Sequence, residues 1–143
     1  MTWLYEGREV CADDTNDYVG FVYLITNLIS DRKYIGKKLL KFRRSKTVKG
    51  RKKKILIDSD WETYYGSSKE LLKDVEELGA KNFKREILQF CKTRGYCNYL
   101  EAMYQFQYRV LETSDWYNSN IMVHCCYVKR CVAIVISKIY IYQ

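Results

Sequence analysis

The apolar residues in the first third of the chain predict a β-hairpin. Gly20 to Thr26 is rich in Val, Phe, Tyr and Ile, which favours a strand. Asn27 to Asp31 has the composition of a turn. A short second strand is predicted from Arg32 to Ile35, ended by Gly36. The two strands are expected to pair in antiparallel fashion.

The spacing of apolar residues changes further along the chain and predicts a helix followed by a strand. Leucine and valine recur at helical spacing from Lys69 to Leu78, with Ser67 or Ser68 as the N-cap. Gly79 is expected to end this helix. Asn82 to Phe90 is predicted to form a third strand.

A second helix completes the predicted fold. It is expected from about Tyr99 to Leu111, capped by Asn98, because its apolar positions suit a packed face. The order strand, strand, helix, strand, helix predicts an α+β fold, with a small three-stranded antiparallel sheet flanked by helices.

Positive charge is concentrated in one segment, from Lys37 to Lys54. The chain has 25 Lys and Arg residues and 17 Asp and Glu residues, a formal net charge of +8. Eleven of the eighteen residues in this segment are basic and none is acidic, which leaves 14 basic and 17 acidic residues elsewhere, a net charge of −3. Such a local excess predicts a surface that binds a polyanion. A solvated, disordered basic loop is the alternative interpretation.

Length and cysteine content limit the classes of protein to consider. With 143 residues, the chain is long enough for one domain with a modest core. No secretory signal is visible, so the six cysteines are expected to be reduced thiols in the cytoplasm. The most apolar segment, Val132 to Tyr142, is too short for a membrane span, which needs roughly 20 residues. A zinc site formed by His124, Cys125, Cys126 and Cys131 matches no usual ligand spacing.

Two short motifs lie on the predicted hairpin: Gly20-Phe21-Val22-Tyr23 and, ten residues later, Tyr34-Ile35-Gly36. They resemble the two motifs of the GIY-YIG nuclease superfamily, of which the second is intact here. The Gly-Ser-Ser segment and the sequence NFKREIL resemble the middle of small phage-type homing endonucleases of this family. The resemblance implies a nuclease-like domain over residues 19–123. Residues 1–18 would form an N-terminal extension, and residues 124–143 an atypical C-terminal extension.

The resemblance also implies a set of catalytic residues. Tyr23 is expected to activate the nucleophilic water, with Tyr34 and Lys37 in support. The sequence NYLEAMYQFQ resembles the helix that carries the family's catalytic glutamate, which matches Glu101. The segment DWYNSNI resembles one with a late asparagine, and Asn118 matches it because it directly follows a tyrosine.

An arginine that reaches the scissile phosphate is a further feature of the family. Counting from the second motif, Arg44 is its natural match, with Arg43 close by. In the family, a His or Tyr often follows this arginine one turn later. Arg51 or Tyr65 is the alternative residue for these two roles.

Hydrolysis of a phosphodiester defines what these groups would have to do. A phenol has an unperturbed pKa of ~10, so cations such as Lys37, Lys38 and Arg44 are expected to lower the pKa of Tyr23. Glu101 is expected to hold one divalent cation. Mg²⁺ suits a site with one carboxylate because it keeps most of its waters, and Mn²⁺ is the alternative.

The basic segment is expected to contact the phosphates of double-stranded DNA. Its predicted nucleic-acid-binding residues are Lys38, Lys41, Arg43, Lys46, Lys49, Arg51, Lys52, Lys53 and Lys54. The chain is therefore predicted to be a metal-dependent DNA endonuclease in a bacterial or phage-infected cell, with no membrane or protein partner inferred. A non-catalytic nucleic-acid-binding protein with the same fold is the alternative.

Overall fold

A computed structural model describes residues 2–122 of the chain. These residues form β1 (Trp3–Tyr5), β2 (Arg8–Glu9), β3 (Gly20–Asn27), β4 (Lys33–Leu39), β5 (Lys41–Val48), β6 (Arg51–Asp58), α1 (Lys69–Leu78), β7 (Phe83–Cys91) and α2 (Arg94–Gln107). The α+β class is confirmed. The predicted C-terminal extension and the four residues considered for a zinc site lie outside the described residues.

The main sheet has five strands in the order β2-β1-β7-β3-β4, so the prediction of three strands is wrong. The strand β1 adds to the sheet in parallel with β7, whereas residues 1–18 were expected to lie outside the domain. Trp3 fixes β1 in place: its side chain is buried, and its indole N–H donates to the Trp61 carbonyl oxygen at 2.7 Å. A three-residue strand shows no alternation in the sequence, which explains why local pattern alone did not predict it.

Side chains on the two faces of the sheet form two cores. The core on the α1 face contains Trp3, Phe21, Tyr23, Ile25, Leu40, Trp61, Leu71, Phe83, Ile87 and Tyr117. The core on the α2 face contains Val22, Ile35, Cys91, Tyr96, Cys97, Leu100 and Val110. Successive side chains of a strand point to opposite faces, so neighbouring residues of β3 and β4 belong to different cores.

The strand β4 continues past Gly36 to Leu39, which corrects the prediction that Gly36 ends it. Gly36 pairs with Tyr23 in the middle of the β3–β4 ladder. On the other side of β3, a β-bulge in β7 interrupts the register between Val22 and Tyr23. A bulge bends the strand and changes the direction of nearby side chains. The irregularity therefore lies directly beside the first-motif tyrosine.

The basic segment forms a separate two-stranded hairpin of β5 and β6 rather than a disordered loop. Lys49 and Gly50 connect the strands, and both have positive φ, as a type I′ turn requires. Every residue of both strands is exposed. The hairpin begins after Leu40, whose carbonyl oxygen accepts a hydrogen bond from the Ser59 amide at 2.9 Å. Its two ends therefore meet at the main sheet.

The two helices differ in how well the sequence predicted them. The helix α1 has the predicted bounds, with the Ser68 hydroxyl accepting from the Leu71 amide and Gly79 at the C-cap. The helix α2 begins five residues earlier than predicted and ends at Gln107. Thr93, not Asn98, is its N-cap, because the Thr93 hydroxyl accepts from the Tyr96 amide. Within residues 2–122, no helix is long and apolar enough to cross a membrane.

Candidate active site

Three tyrosines converge on the α1 face of the sheet. The ring centroids of Tyr23 and Tyr34 are 6.1 Å apart, and those of Tyr23 and Tyr64 are also 6.1 Å apart. The Tyr34 hydroxyl lies 3.0 Å from the Ser67 hydroxyl. The structure thus brings the two motif tyrosines together, as predicted. It adds Tyr64 and Ser67, which lie in the segment WETYYGSS before α1.

Gly36 provides the space in which the two motif tyrosines meet. A Cβ atom at this position would lie 2.5 Å from the Tyr23 hydroxyl oxygen and 2.9 Å from Tyr34 Cε1. Both distances are shorter than any side chain tolerates. The glycine of the second motif is therefore required by close packing of the phenol rings and not by a chain turn.

Burial keeps both phenols protonated. The pKa of Tyr23 is raised well above its ordinary value, first by burial and then by the charges of Tyr34 and Tyr64, a hydrogen bond with Tyr64, and the charge of Glu101. The pKa of Tyr34 is also raised by burial, partly offset by its hydrogen bond with Ser67. The expected lowering of the Tyr23 pKa by cations is therefore not found.

Of the two lysines expected beside Tyr23, Lys37 lies on the opposite face of the sheet and Lys38 is paired with Asp60. Lys37 belongs to the α2 face, where its ammonium forms an ion pair with Glu101. Lys38 is buried on the α1 face, with its ammonium 2.6 Å from the Asp60 carboxylate and 3.6 Å from the centroid of the Tyr64 ring. Strand alternation accounts for this separation of two adjacent lysines.

Glu101 lies on α2 and faces the edge strand β4 from the side opposite to the tyrosines. Its side chain is 16% exposed, and that of Lys37 is 32% exposed. The charge of Glu101 nevertheless contributes to the raised pKa values of both Tyr23 and Tyr34. Lys37, the partner of Glu101, directly follows Gly36, against which the two phenols pack, so the carboxylate and the phenols lie on opposite sides of the same stretch of β4.

Asn118 covers the edge of β4 just before this point. Its amide oxygen accepts from the Ile35 amide at 3.0 Å, and its amide nitrogen donates to the Ile35 carbonyl at 2.8 Å. Gln105 of α2 donates to the same carbonyl at 3.0 Å. An edge strand exposes unpaired backbone groups, and these side chains satisfy them at the residue that precedes Gly36.

Tyr117 anchors the segment that contains Asn118. Its hydroxyl donates to the Asp74 carboxylate at 2.6 Å and accepts from the Asn27 side chain at 2.9 Å. The guanidinium of Arg32 lies 4.0 Å from the centroid of its ring. Sequence reasoning did not predict this role. The only signal available was a tyrosine beside the predicted asparagine.

Arg44 is not brought to the tyrosine cluster. It lies on the exposed strand β5, opposite Ile55. The two residues considered as alternatives to Arg44 and its neighbour do not join the cluster either. Arg51 lies next to the turn of the β5–β6 hairpin, and the ring of Tyr65 packs against the guanidinium of Arg85, with 4.2 Å between the guanidinium carbon and the ring centroid. The basic segment forms an exposed hairpin, which places Arg44 away from the tyrosine cluster.

Eight of the nine predicted nucleic-acid-binding residues are exposed together on the hairpin or its turn, and Lys38 is not. The eight are Lys41, Arg43, Lys46, Lys49, Arg51, Lys52, Lys53 and Lys54. Lys38 belongs to the main sheet and is buried against Asp60.

The residues around Glu101 fit a divalent ion that keeps most of its water. Among residues 2–122, no group of three or more His, Cys, Asp or Glu side chains converges, so a site that replaces all the waters of an ion is not found there. Glu101 supplies one carboxylate, which is 16% exposed and paired with Lys37. This donor set suits Mg²⁺ or Mn²⁺ held by one carboxylate and water.

The fold and the site together define a nuclease domain built on the GIY-YIG motifs. The family model described as "Putative endonuclease segE, GIY-YIG domain" matches residues 3–121. The chain therefore belongs to this GIY-YIG endonuclease family, and membership supports a nuclease function in general. The match includes β1, in agreement with its place in the sheet. No curated protein and no solved structure matched the chain.

Proposed function

We propose that the chain is a metal-dependent DNA endonuclease of the homing type, with its active site at the edge of β4 around Gly36. The observation that carries the proposal is that Tyr23 and Tyr34 pack together at Gly36 on one side of this strand, while Glu101 pairs on the other side with Lys37, the next residue. Phosphodiester hydrolysis needs an oriented water and a group that stabilises the negative charge developing on phosphate. This arrangement supplies residues suited to both tasks.

Tyr23 and Tyr34 are assigned to the nucleophilic water. Both phenols are neutral at neutral pH, and burial raises their pKa values further above it. A neutral phenol donates one hydrogen bond and accepts others, so the pair can orient a water toward phosphorus. Tyr23 takes a proton from that water only as a phenolate. At pH values below the pKa, the phenolate fraction grows about tenfold for each unit by which the pH rises.

Lys37 and Glu101 are assigned to the phosphate. The Lys37 ammonium neutralises Glu101 and is partly exposed, so it can move from the carboxylate to a phosphoryl oxygen when DNA binds. Glu101 would hold the divalent ion, which when bound stabilises charge on the phosphate and on the leaving oxygen. Asn118 keeps β4 straight at Ile35 and so positions Gly36 and the phenols.

The exposed hairpin of β5 and β6 is assigned to double-stranded DNA. Nine basic residues between Lys41 and Asp58 face solvent together with one acidic residue. Arg44 belongs with this surface. At about 3.3 Å per residue, it lies roughly 13 Å beyond Leu40, where the hairpin leaves the sheet. Contacts of these side chains to phosphates position the duplex without selecting its sequence.

Replacement of Glu101 tests the proposal. In a plasmid-nicking assay with Mg²⁺, Glu101→Ala is expected to lower the cleavage rate by at least about a hundredfold, the loss expected when charge stabilisation of the transition state is removed. Binding to duplex DNA without divalent ions should be retained. The matched control is Glu112→Ala, because Glu112 is an exposed carboxylate paired with Arg109 after α2.

The same assay separates the proposal from its alternative. Cleavage by Glu101→Ala at the rate of Glu112→Ala would contradict the role of Glu101. A wild-type chain that binds duplex DNA and never cuts it would indicate a non-catalytic DNA-binding protein with this fold.

A further inference from the structure

A second basic surface lies between the hairpin and the body of the domain. It is a cavity of about 850 Å³ lined by Lys41 and Arg43 of β5 and by Lys92 and Arg94 at the start of α2. Asp17 is the one carboxylate in its lining. The four cations come from segments about fifty residues apart. Lys92 and Arg94 belong to no basic run, so only the fold reveals this surface.

The electrostatics of this cleft favour an anionic occupant. Four exposed cations stand beside two carboxylates, Asp17 in the lining and Asp58 next to Lys41, so positive charge is in excess and the cations repel one another unless further negative charge lies between them. The N-terminus of α2 adds partial positive charge at the same place, because Thr93 caps a helix of 14 residues there. The ion pair of Lys41 with Asp58 is long, at 3.9 Å, and both side chains are mostly exposed, so it leaves Lys41 available.

The position of the cleft relates it to the proposed active site. Arg94 and Glu101 are seven residues apart on α2, nearly two turns, so they lie on the same face of the helix. They are separated by roughly 10.5 Å along the axis. Each strand of B-DNA advances about 3.4 Å per nucleotide. The cleft is therefore about three nucleotides from a phosphate held at Glu101.

We propose that this cleft holds the phosphodiester backbone of duplex DNA about three nucleotides from the scissile bond, with Lys92 and Arg94 as its contacts on the body of the domain. The proposal rests on the proposed function, since it places the same DNA that Glu101 would contact. The hairpin supplies the opposite wall through Lys41 and Arg43. The DNA is thus held between two elements, and the hairpin does not bind it alone.

Salt-dependent binding of a 30-base-pair duplex tests the cleft, with the full chain and no divalent ion present. The double variant Lys92→Gln/Arg94→Gln is compared with Lys73→Gln/Lys81→Gln, which removes the same charge from exposed lysines outside the cleft. Two lost phosphate contacts should lower the slope of log K against log salt by about 1.8 in the cleft variant. The slope of the control variant should stay at the wild-type value.

Equal slopes for the two double variants, with both folded as judged by thermal melting, would overturn the cleft. Tighter binding of short acidic peptides than of the duplex to the wild-type protein would also overturn the cleft as a DNA site, in favour of a protein ligand. The binding test involves no cleavage and so does not depend on nicking activity. A wild-type chain that fails to nick plasmid would contradict the proposed function, while the comparison of salt slopes between the two double variants would still test the cleft.

Discussion

At the scale of single residues, Gly36 determines where the two motif tyrosines can lie. The Tyr23 ring passes over Gly36, and the Tyr34 ring packs beside it. A pair of phenols on neighbouring strands is common, but close contact of their rings over the edge strand depends on the missing Cβ atom. In the proposed function, this packing is what lets the two phenols act together at Gly36.

Substitution of Gly36 tests this packing. Gly36→Ala is expected to displace both phenols and to abolish nicking, with a stability cost of about 1–3 kcal/mol from overpacking. Gly95→Ala is the matched control, because a Cβ atom at Gly95 meets nothing within 4 Å and alanine favours the helix by up to about 1 kcal/mol. Nicking rates and thermal melting of the two variants measure the difference. Equal rates for both variants would contradict this role for Gly36.

At the scale of elements, the hairpin of β5 and β6 is an attachment to the main sheet and not part of it. The Ser59 amide donates to the Leu40 carbonyl, and the Ser59 hydroxyl donates to the Leu39 carbonyl at 2.7 Å. The chain therefore leaves and re-enters the sheet at one point. The two cores of the sheet contain no residue between Lys41 and Asp58.

Removal of the hairpin should separate DNA binding from folding. When residues 41–58 are replaced by Gly-Gly, the shortened chain is expected to melt within a few degrees of wild type, because no core residue is lost. Its slope of log K against log salt should fall by up to about 8, at roughly 0.9 for each of nine cations. A full-length control with these nine residues changed to Gln separates charge from shape. Duplex binding with wild-type salt dependence in the shortened chain would contradict the assignment.

Local signals explain which elements the sequence predicted. The helix α1 was predicted correctly because a capping serine, an apolar period and a terminal glycine agree with one another. The hairpin of β5 and β6 was not predicted because all residues of its strands are exposed, so no apolar alternation marks them, and Lys49-Gly50 is a weaker turn signal than Asn-Gly. The first strand depends on the burial of Trp3 against Trp61, a contact 58 residues away in the chain.

At the scale of the whole molecule, the sheet separates the candidate site into two halves that meet at the edge of β4. The family resemblance predicted roles for Tyr23, Tyr34 and Glu101; the two tyrosine rings pack together at Gly36, and Glu101 pairs with Lys37, the next residue of β4. It could not predict that Lys38 is buried, since that depends on strand alternation and on Asp60. The cleft beside Arg94 is likewise visible only in three dimensions, because it joins separate segments.

Metal-dependent nicking of supercoiled plasmid by the wild-type chain tests the central claim most directly. The chain is assayed after chelation, and again after Mg²⁺ or Mn²⁺ is restored in excess of the chelator. We predict no nicked product with the chelator and full recovery with either ion, because the proposed function assigns Glu101 to one hydrated cation. Cleavage that persists in excess chelator, or no cleavage with either ion, would contradict a metal-dependent endonuclease at this site.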